Sequence, residues 1–456
     1  MSETPRGWEL LKLRDVATLK TGPFGSALHK ADYTIGGIPL INPTHIREGK
    51  LFPASEVSVS SETAQCLTEY RLNEGDIVMG RRGEMGRCAV VPRYAQNWLC
   101  GTGSVVVKST SATHPQYLQR FLTAPATVAA LIGDSVGSTM INLNQGVLLG
   151  LDIPLAPLPE QKRIADKLDS VLARVDACRD RLDRLPALLK RFRQSILAAA
   201  TSGQLTEDWR KYKNTLGQWK DLCLGDIADI QGGITKDSKK QSITDEELPY
   251  LRVANVQRGY LVLNEMKTIR IPANKLAGLL LEHGDILFNE GGDLDKLGRG
   301  WIWEGKIQRC SFQNHVFRAR LLDRANQPKY ISWWGNSRGL DYFTSSGKQT
   351  TNLASINKTM LSNLPISLPP PAEQTEIVRR VEILFAFADR LEARLAAARR
   401  QVGQLTPALL AKAFRGELVA QDPADEPAAE LLKRLAAQRA AAPVGKRSRA
   451  GVPGAR

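Results

Sequence analysis

The chain has 456 residues, enough for about three structural units and for a core that needs no disulfide or metal staple. Apolar residues at 43% and charged residues at 24% are ordinary globular values and exclude wholesale disorder. Lys and Arg number 62 against 47 Asp and Glu, and the formal charge of +15 favours a polyanionic partner. Nucleic acid fits better than a membrane, since the longest apolar runs, such as 276–281, fall far short of the roughly 20 residues of a span. The start, MSETPRGWELLKLRD, carries no apolar signal-peptide stretch, so a cytoplasmic location is expected. Cys66, Cys88, Cys100, Cys178, Cys223 and Cys310 form no C-x-x-C pair and are expected to be reduced, mostly buried thiols without zinc.

Residues 1–158 read as short strands separated by turns (IPLIN, DIVMG, RCAVVP, GSVVVK), with helix around PQYLQRFLTAPATVAALI. The extended stretch IPLAPLPEQ then leads into a helical region, 159–203, with Pro159 placed for helix entry. Steps of four and three from Ile164 meet Leu168, Val171, Val175, Cys178, Leu182, Leu185, Leu189, Phe192 and Ile196, all apolar, which is a heptad seam. Pro186 is expected to kink or split this helix, and Gly203 to stop it. Residues 204–218 read as a linker.

The same anatomy then repeats. Trp8-Glu-Leu-Leu-Lys-Leu-Arg-Asp15 returns as Trp219-Lys-Asp-Leu-Cys-Leu-Gly-Asp226, and the GDI, PQYLQ/PKYIS and EQ blocks follow in order at offsets of 209–213. Residues 219–370 are a second mixed unit, with strands LPYLRV, DILFN, GWIWE and HVFRARL and a helix around PKYISWWGNSRGLDYF. Residues 371–416 are a second helical region, whose seam Ile377, Val381, Leu384, Ala388, Leu391, Leu395, Ala398, Val402, Leu405 and Leu409 lies 213 residues after the first. Gly403 and Pro407 are expected to interrupt it, and Gly416 to end it. Two in-phase seams predict an antiparallel intramolecular pair. The unbroken part of the first, about 26 residues, would span about 39 Å, close to one turn of DNA. Residues 417–456 read as an amphipathic helix followed by a basic, disordered tail.

No phosphate loop, G-x-S-x-G elbow or H-E-x-x-H helix occurs. Asn42-Pro43-Thr44-His45 is similar to the Asn-Pro-Pro-aromatic motif of amine-modifying DNA methyltransferases but lacks the second proline and the aromatic ring, so no catalytic residue is expected. Gly80, Gly83, Gly86, Gly291 and Gly292 read as turns. Basic and polar loops remain. Arg81, Arg82 and Arg87 in RRGEMGR match Lys296 and Arg299 in EGGDLDKLGR, while the polar segment 138–144, with Asn142 and Asn144, matches the segment 348–352, with Lys348 and Gln349. Lys30, Arg47, Lys236, Lys239, Lys240, Arg252 and Arg258 lie in other loops. Such residues neutralise phosphates or pair with base edges, and Arg81, Arg82, Arg87, Arg299 and Lys348 are expected to contact DNA.

The helix entries IPLAPLPEQKRIADKLD and LPISLPPPAEQTEIVRRVE, and the exits LLKRFRQSILAAATSGQLTEDW and LTPALLAKAFRGELVAQDPADEPAAELL, resemble those of the specificity (S) subunits of type I restriction–modification systems. The resemblance covers residues 1 to about 440. It implies an α+β fold, with two pseudo-symmetric mixed β/α target-recognition domains separated by two long antiparallel coiled-coil helices. It also implies a non-catalytic chain that reads bipartite double-stranded DNA. Two methyltransferase (M) subunits using S-adenosylmethionine and two restriction (R) subunits using ATP and Mg would be its partners. A free-standing adenine methyltransferase and a non-specific DNA-binding coiled-coil adaptor are the alternative readings.

Overall fold

The computed structural model describes residues 4–24, 27–83, 85–133, 143–213, 218–236, 242–292, 297–346, 348–350 and 353–441. They divide into two compact units, one of Met1–Leu182 with Ala397–Arg456, the other of Asp183–Ala396.

In the first unit, strands Ala17–Thr21, Ser104–Ser109, Ile77–Gly80 and Cys88–Val90 form one antiparallel sheet in that order. Its central strands are apolar without alternation because both faces are covered. Ile77, Met79, Val105 and Val107 face a core shared with Leu118 and Leu122 of helix Pro115–Leu122. Val78 and Val106 face a second core with Ile41, Ile46 and Leu51. The second sheet holds Leu99–Cys100, Ile38–Ile41, Ser58–Val59 and Tyr33–Thr34, with Leu99–Cys100 parallel to its neighbour.

The second unit repeats this plan. Ala228–Gly232, Val316–Leu321, Ile286–Asn289 and Gly300–Ile302 make the antiparallel sheet, and Lys267–Ile271, Glu246–Leu251 and Ser311–Phe312 the other. Here too one short strand pairs in parallel, Tyr250 with Ser311 and Leu251 with Phe312.

Each unit also takes part of both long helices, Leu158–Thr201 and Pro371–Phe414. In the first, Ile164, Leu168 and Leu172 share a core with Leu410 and Ala413, so the start of one helix packs on the end of the other. In the second, Ile196 and Ala200 meet Ile377 and Val381 in the same antiparallel sense. Val175 and Leu395 are buried as well, and Val171, Leu182, Leu384 and Leu391 are half-buried. The seam is looser than its heptads imply, because Cys178, Leu185 and Leu405 are exposed.

Neither helix is split. Pro186 deprives the Leu182 carbonyl of its helical donor, and Arg399 Nη2 donates to that oxygen instead at 3.3 Å. Pro407 likewise lies within a continuous helix. The stops are as expected: Gly203 (φ +80°) and Gly416 (φ +72°) are left-handed, where a side chain is strained.

Each helix entry is fastened by a buried Glu-Gln pair. Trp8 Nε1 donates to Glu160 at 3.1 Å and Trp219 Nε1 to Glu373 at 3.0 Å. Gln161 accepts from His114 N and donates to Ala156 O, as Gln374 accepts from Gln327 N and donates to Pro369 O, each at 2.8 Å. The linker is partly helical (Glu207–Lys213) and contributes Thr206 and Arg210 to Glu373. Helix Ala428–Ala441 packs Ala428 on the first unit's core, while residues 442–456 lie outside the described residues. Three cysteines rather than most are buried: Cys88, Cys100 and Cys310, whose thiols burial pushes up to about 12.

The two glutamates differ. Glu373 is matched by a cation, whereas Glu160 Oε1 is buried with no partner among the described residues. Burial holds the Glu160 carboxyl above its ordinary range despite Trp8 and Arg163. The folded chain therefore keeps this proton to higher pH than the unfolded one. The resulting stability is complete below the unfolded value and is lost as pH rises through the folded value. Glu160→Gln mimics the protonated acid, so its melting temperature relative to the parent should climb between pH 4 and pH 8. Glu373→Gln should instead lose about 1.5–3 kcal/mol with its charge-assisted bond. Thermal melts across pH check both, and a pH-independent difference for Glu160→Gln would contradict the assignment.

Candidate nucleic-acid interface

The interface candidates stand on the loops that leave the two sheets. In the first unit, residues 42–45 form a tight turn after strand Ile38–Ile41, with 3₁₀ geometry at Pro43–His45. Buried His45 closes it, its Nδ1 lying 3.0 Å from Leu40 O and 3.3 Å from Asn42 N. Asn255 does the same work in the second unit, accepting from Arg252 N at 3.0 Å and donating to Val262 O at 2.8 Å. The methyltransferase-like Asn-Pro stretch is thus a turn framework.

An arginine braces each turn from the neighbouring sheet. Arg87 Nη1 donates to Pro43 O at 3.4 Å, and Arg299 Nη2 to Val253 O at 3.3 Å. Strand register makes the two positions equivalent: Gly80 N bonds Arg87 O and Asn289 N bonds Arg299 O, each at 2.9 Å. Arg47 Nε adds a bond to Thr44 O at 3.3 Å. In the second unit Arg252 donates to Glu265 O at 3.3 Å, and Arg258 to Asn336 O at 2.5 Å.

The fold thus gathers Arg47 and Arg87 on one turn, with Arg81 just past the end of strand Ile77–Gly80. It gathers Arg252 and Arg299 on the other turn, with Arg258 on the following hairpin. Nε of Arg81, Arg252 and Arg299 is buried with no partner among the described residues, which costs free energy and leaves only the terminal nitrogens to face a ligand. Arg82, Lys30 and Lys236 are exposed. Asn144 is occupied as a helix cap, accepting from Gly146 N at 2.8 Å, as is its counterpart Asn357 with Met360 N. Lys348 and Gln349 lie in strand Lys348–Thr350, paired with Leu353–Ser355. Asn142, Lys239, Lys240 and Lys296 fall outside the described residues.

Sequence reading missed Glu290 and His315, which pair at 2.5 Å beside strand Ile286–Asn289. A search for cations passes over a carboxylate. Its signal was the alignment of RRGEMGR with EGGDLDKLGR, which sets Arg81 against Glu290.

The description "Type I restriction modification DNA specificity domain" matches twice, over residues 5–187 and 217–398. The chain belongs to this family. It is 31% identical over 462 residues to the type I restriction enzyme StySPI specificity subunit of Salmonella potsdam, covering 98% of each protein. It is 30% identical over 463 residues to the EcoKI specificity subunit of Escherichia coli K12, again covering 98% of each. In solved structures the fold resembles a chain from a study of type I R-M complex assembly and conformational transition (TM-score 0.67, 19% identity, 92% of this chain and 100% of that one). It also resembles the HsdS subunit of Thermoanaerobacter tengcongensis (TM-score 0.60, 19% identity, 91% and 98%). The two matched segments coincide with the repeats, and the family's role is DNA sequence specificity. No helix among the described residues is long and apolar enough to cross a membrane.

Arg87 and Arg299 brace turns common to both repeats. Arg87→Ala and Arg299→Ala should therefore weaken binding by one similar factor on every duplex. Exposed Arg82 suits a phosphate, and Arg82→Ala should reduce the slope of log K against log salt by about one. Titration of several duplexes at two salt concentrations measures both. A change confined to one base pair in Arg87→Ala or Arg299→Ala would contradict the bracing role.

Proposed function

We propose that this chain reads a bipartite DNA site, one half with each β/α domain, and has no catalysis of its own. The observation that carries the reading is a frame repeated down to single hydrogen bonds, Arg87 to Pro43 and Arg299 to Val253, under loops that differ in length and charge. A repeated frame can dock twice on duplex backbone, while unlike loops select unlike bases.

The long helices set the gap between half-sites, and their outward flanks receive the partner subunits. Two methyltransferase subunits carry S-adenosylmethionine and modify adenine; two restriction subunits carry ATP and Mg. The complex works in the cytoplasm. The net charge of +15 supplies the sequence-independent part of binding.

Replacing residues 1–158 with the equivalent segment of another family member tests this reading. The methylated sequence of the assembled complex should change in one half-site and keep both the other half and the gap. A change in both halves, or in neither, would overturn it.

A further inference from the structure

Arg81 and Glu290 occupy the same place in the two repeats. Each directly follows a central strand, Ile77–Gly80 or Ile286–Asn289. Arg81 N donates to Gly103 O at 2.9 Å, and Glu290 N to His315 O at 3.0 Å. Arg81 O accepts from Leu143 N at 2.9 Å, and Glu290 O from Ile356 N at 2.7 Å, in both cases just before an Asn-capped helix. Three backbone relations fix the position; the side chains on it are opposite in charge.

Their surroundings differ to match. Arg81 is half-buried, its Nε is shut away, and no described residue accepts a bond from its guanidinium. A cation held so is preorganised for an acceptor pair. Glu290 is oriented instead by His315 Nδ1, whose Nε2 lies 3.2 Å from Asn314 Nδ2. That chain engages Oε2, and no described residue donates to Oε1. A carboxylate is repelled by phosphate, so on a DNA-facing loop it serves base edges rather than backbone. Arg87 and Arg299, being alike in both repeats, cannot tell two half-sites apart; this position can.

We propose that residues 81 and 290 are one base-reading position with inverted hydrogen-bond chemistry. Arg81 forks onto the O6/N7 edge of guanine in one half-site. Glu290 accepts from the exocyclic amino group of cytosine or adenine in the other. The inference rests on the DNA-reading function proposed above.

The test is selection of bound duplexes from a randomised double-stranded DNA library by the full chain, its Arg81→Glu and Glu290→Arg variants, and the milder Arg81→Lys and Glu290→Gln. The parent should enrich a two-part sequence with guanine at one position of one half and an amino-bearing base in the other. Arg81→Glu should reverse the first preference by about tenfold or more at that position alone, and Glu290→Arg should do the converse in the other half. Where a charge reversal fails to fold by thermal melt, the milder variant decides, since lysine cannot fork and glutamine adds a donor. Either must then relax its one position while the rest of the motif stands. A parent motif kept intact in folded variants, or weakened evenly at all positions, overturns the inference alone. A parent that enriches no two-part sequence overturns the DNA-reading function with it.

Discussion

A carboxylate and an amide buried in the first turn of each long helix hold each unit together. Glu160-Gln161 and Glu373-Gln374 sit where a helix presents unpaired amides and a partial positive charge, which suits an acid. Their side chains instead reach out to the globular half: to Trp8 and His114 in one repeat, to Trp219 and Gln327 in the other. A recognition domain is thereby fixed to the helix that follows it. The same tryptophans pack beside Gly416 and Gly203, where the opposite helix ends, so each β/α half also grips the helix that does not follow it in sequence.

Within each unit the helical seam acts together with these anchors. The seam buries Ile164 and Leu168 against the end of the second helix, and Ile377 and Val381 against the end of the first. Removing one such side chain to Ala costs roughly 2–5 kcal/mol. Ionic contacts add register where apolar contact is thinner: Arg193 lies between Asp389 at 2.7 Å and Glu392 at 3.1 Å, over the Phe385 ring. Arg399 donates to the Leu182 carbonyl, which Pro186 leaves without its helical amide.

Much of this was legible in the sequence, because duplication wrote it twice. The heptads, the Pro-x-x-Glu-Gln-like entries and the terminal glycines recur at nearly constant offsets, and each has a direct physical reading. Three features were not legible. Pro186 reads as a break because a sequence cannot announce that Arg399, 213 residues later, replaces the missing amide. Cys178, Leu185 and Leu405 continue the apolar pattern but stay exposed, since periodicity reports a face and not what covers it. In the interface, basic residues were found but their tasks were not. Arg87 and Arg299 brace turns and Asn144 caps a helix, and strand register gives Glu290 the place in its repeat that Arg81 has in the other.

The central claim is that one repeated frame carries two different readers. Base-resolution mapping of methylated adenine, in cells expressing this chain with its methyltransferase partner, tests it most directly. The account predicts a single sequence in two unlike halves separated by a fixed number of unread base pairs. An uninterrupted motif, or two identical half-sites in inverted orientation, would contradict it.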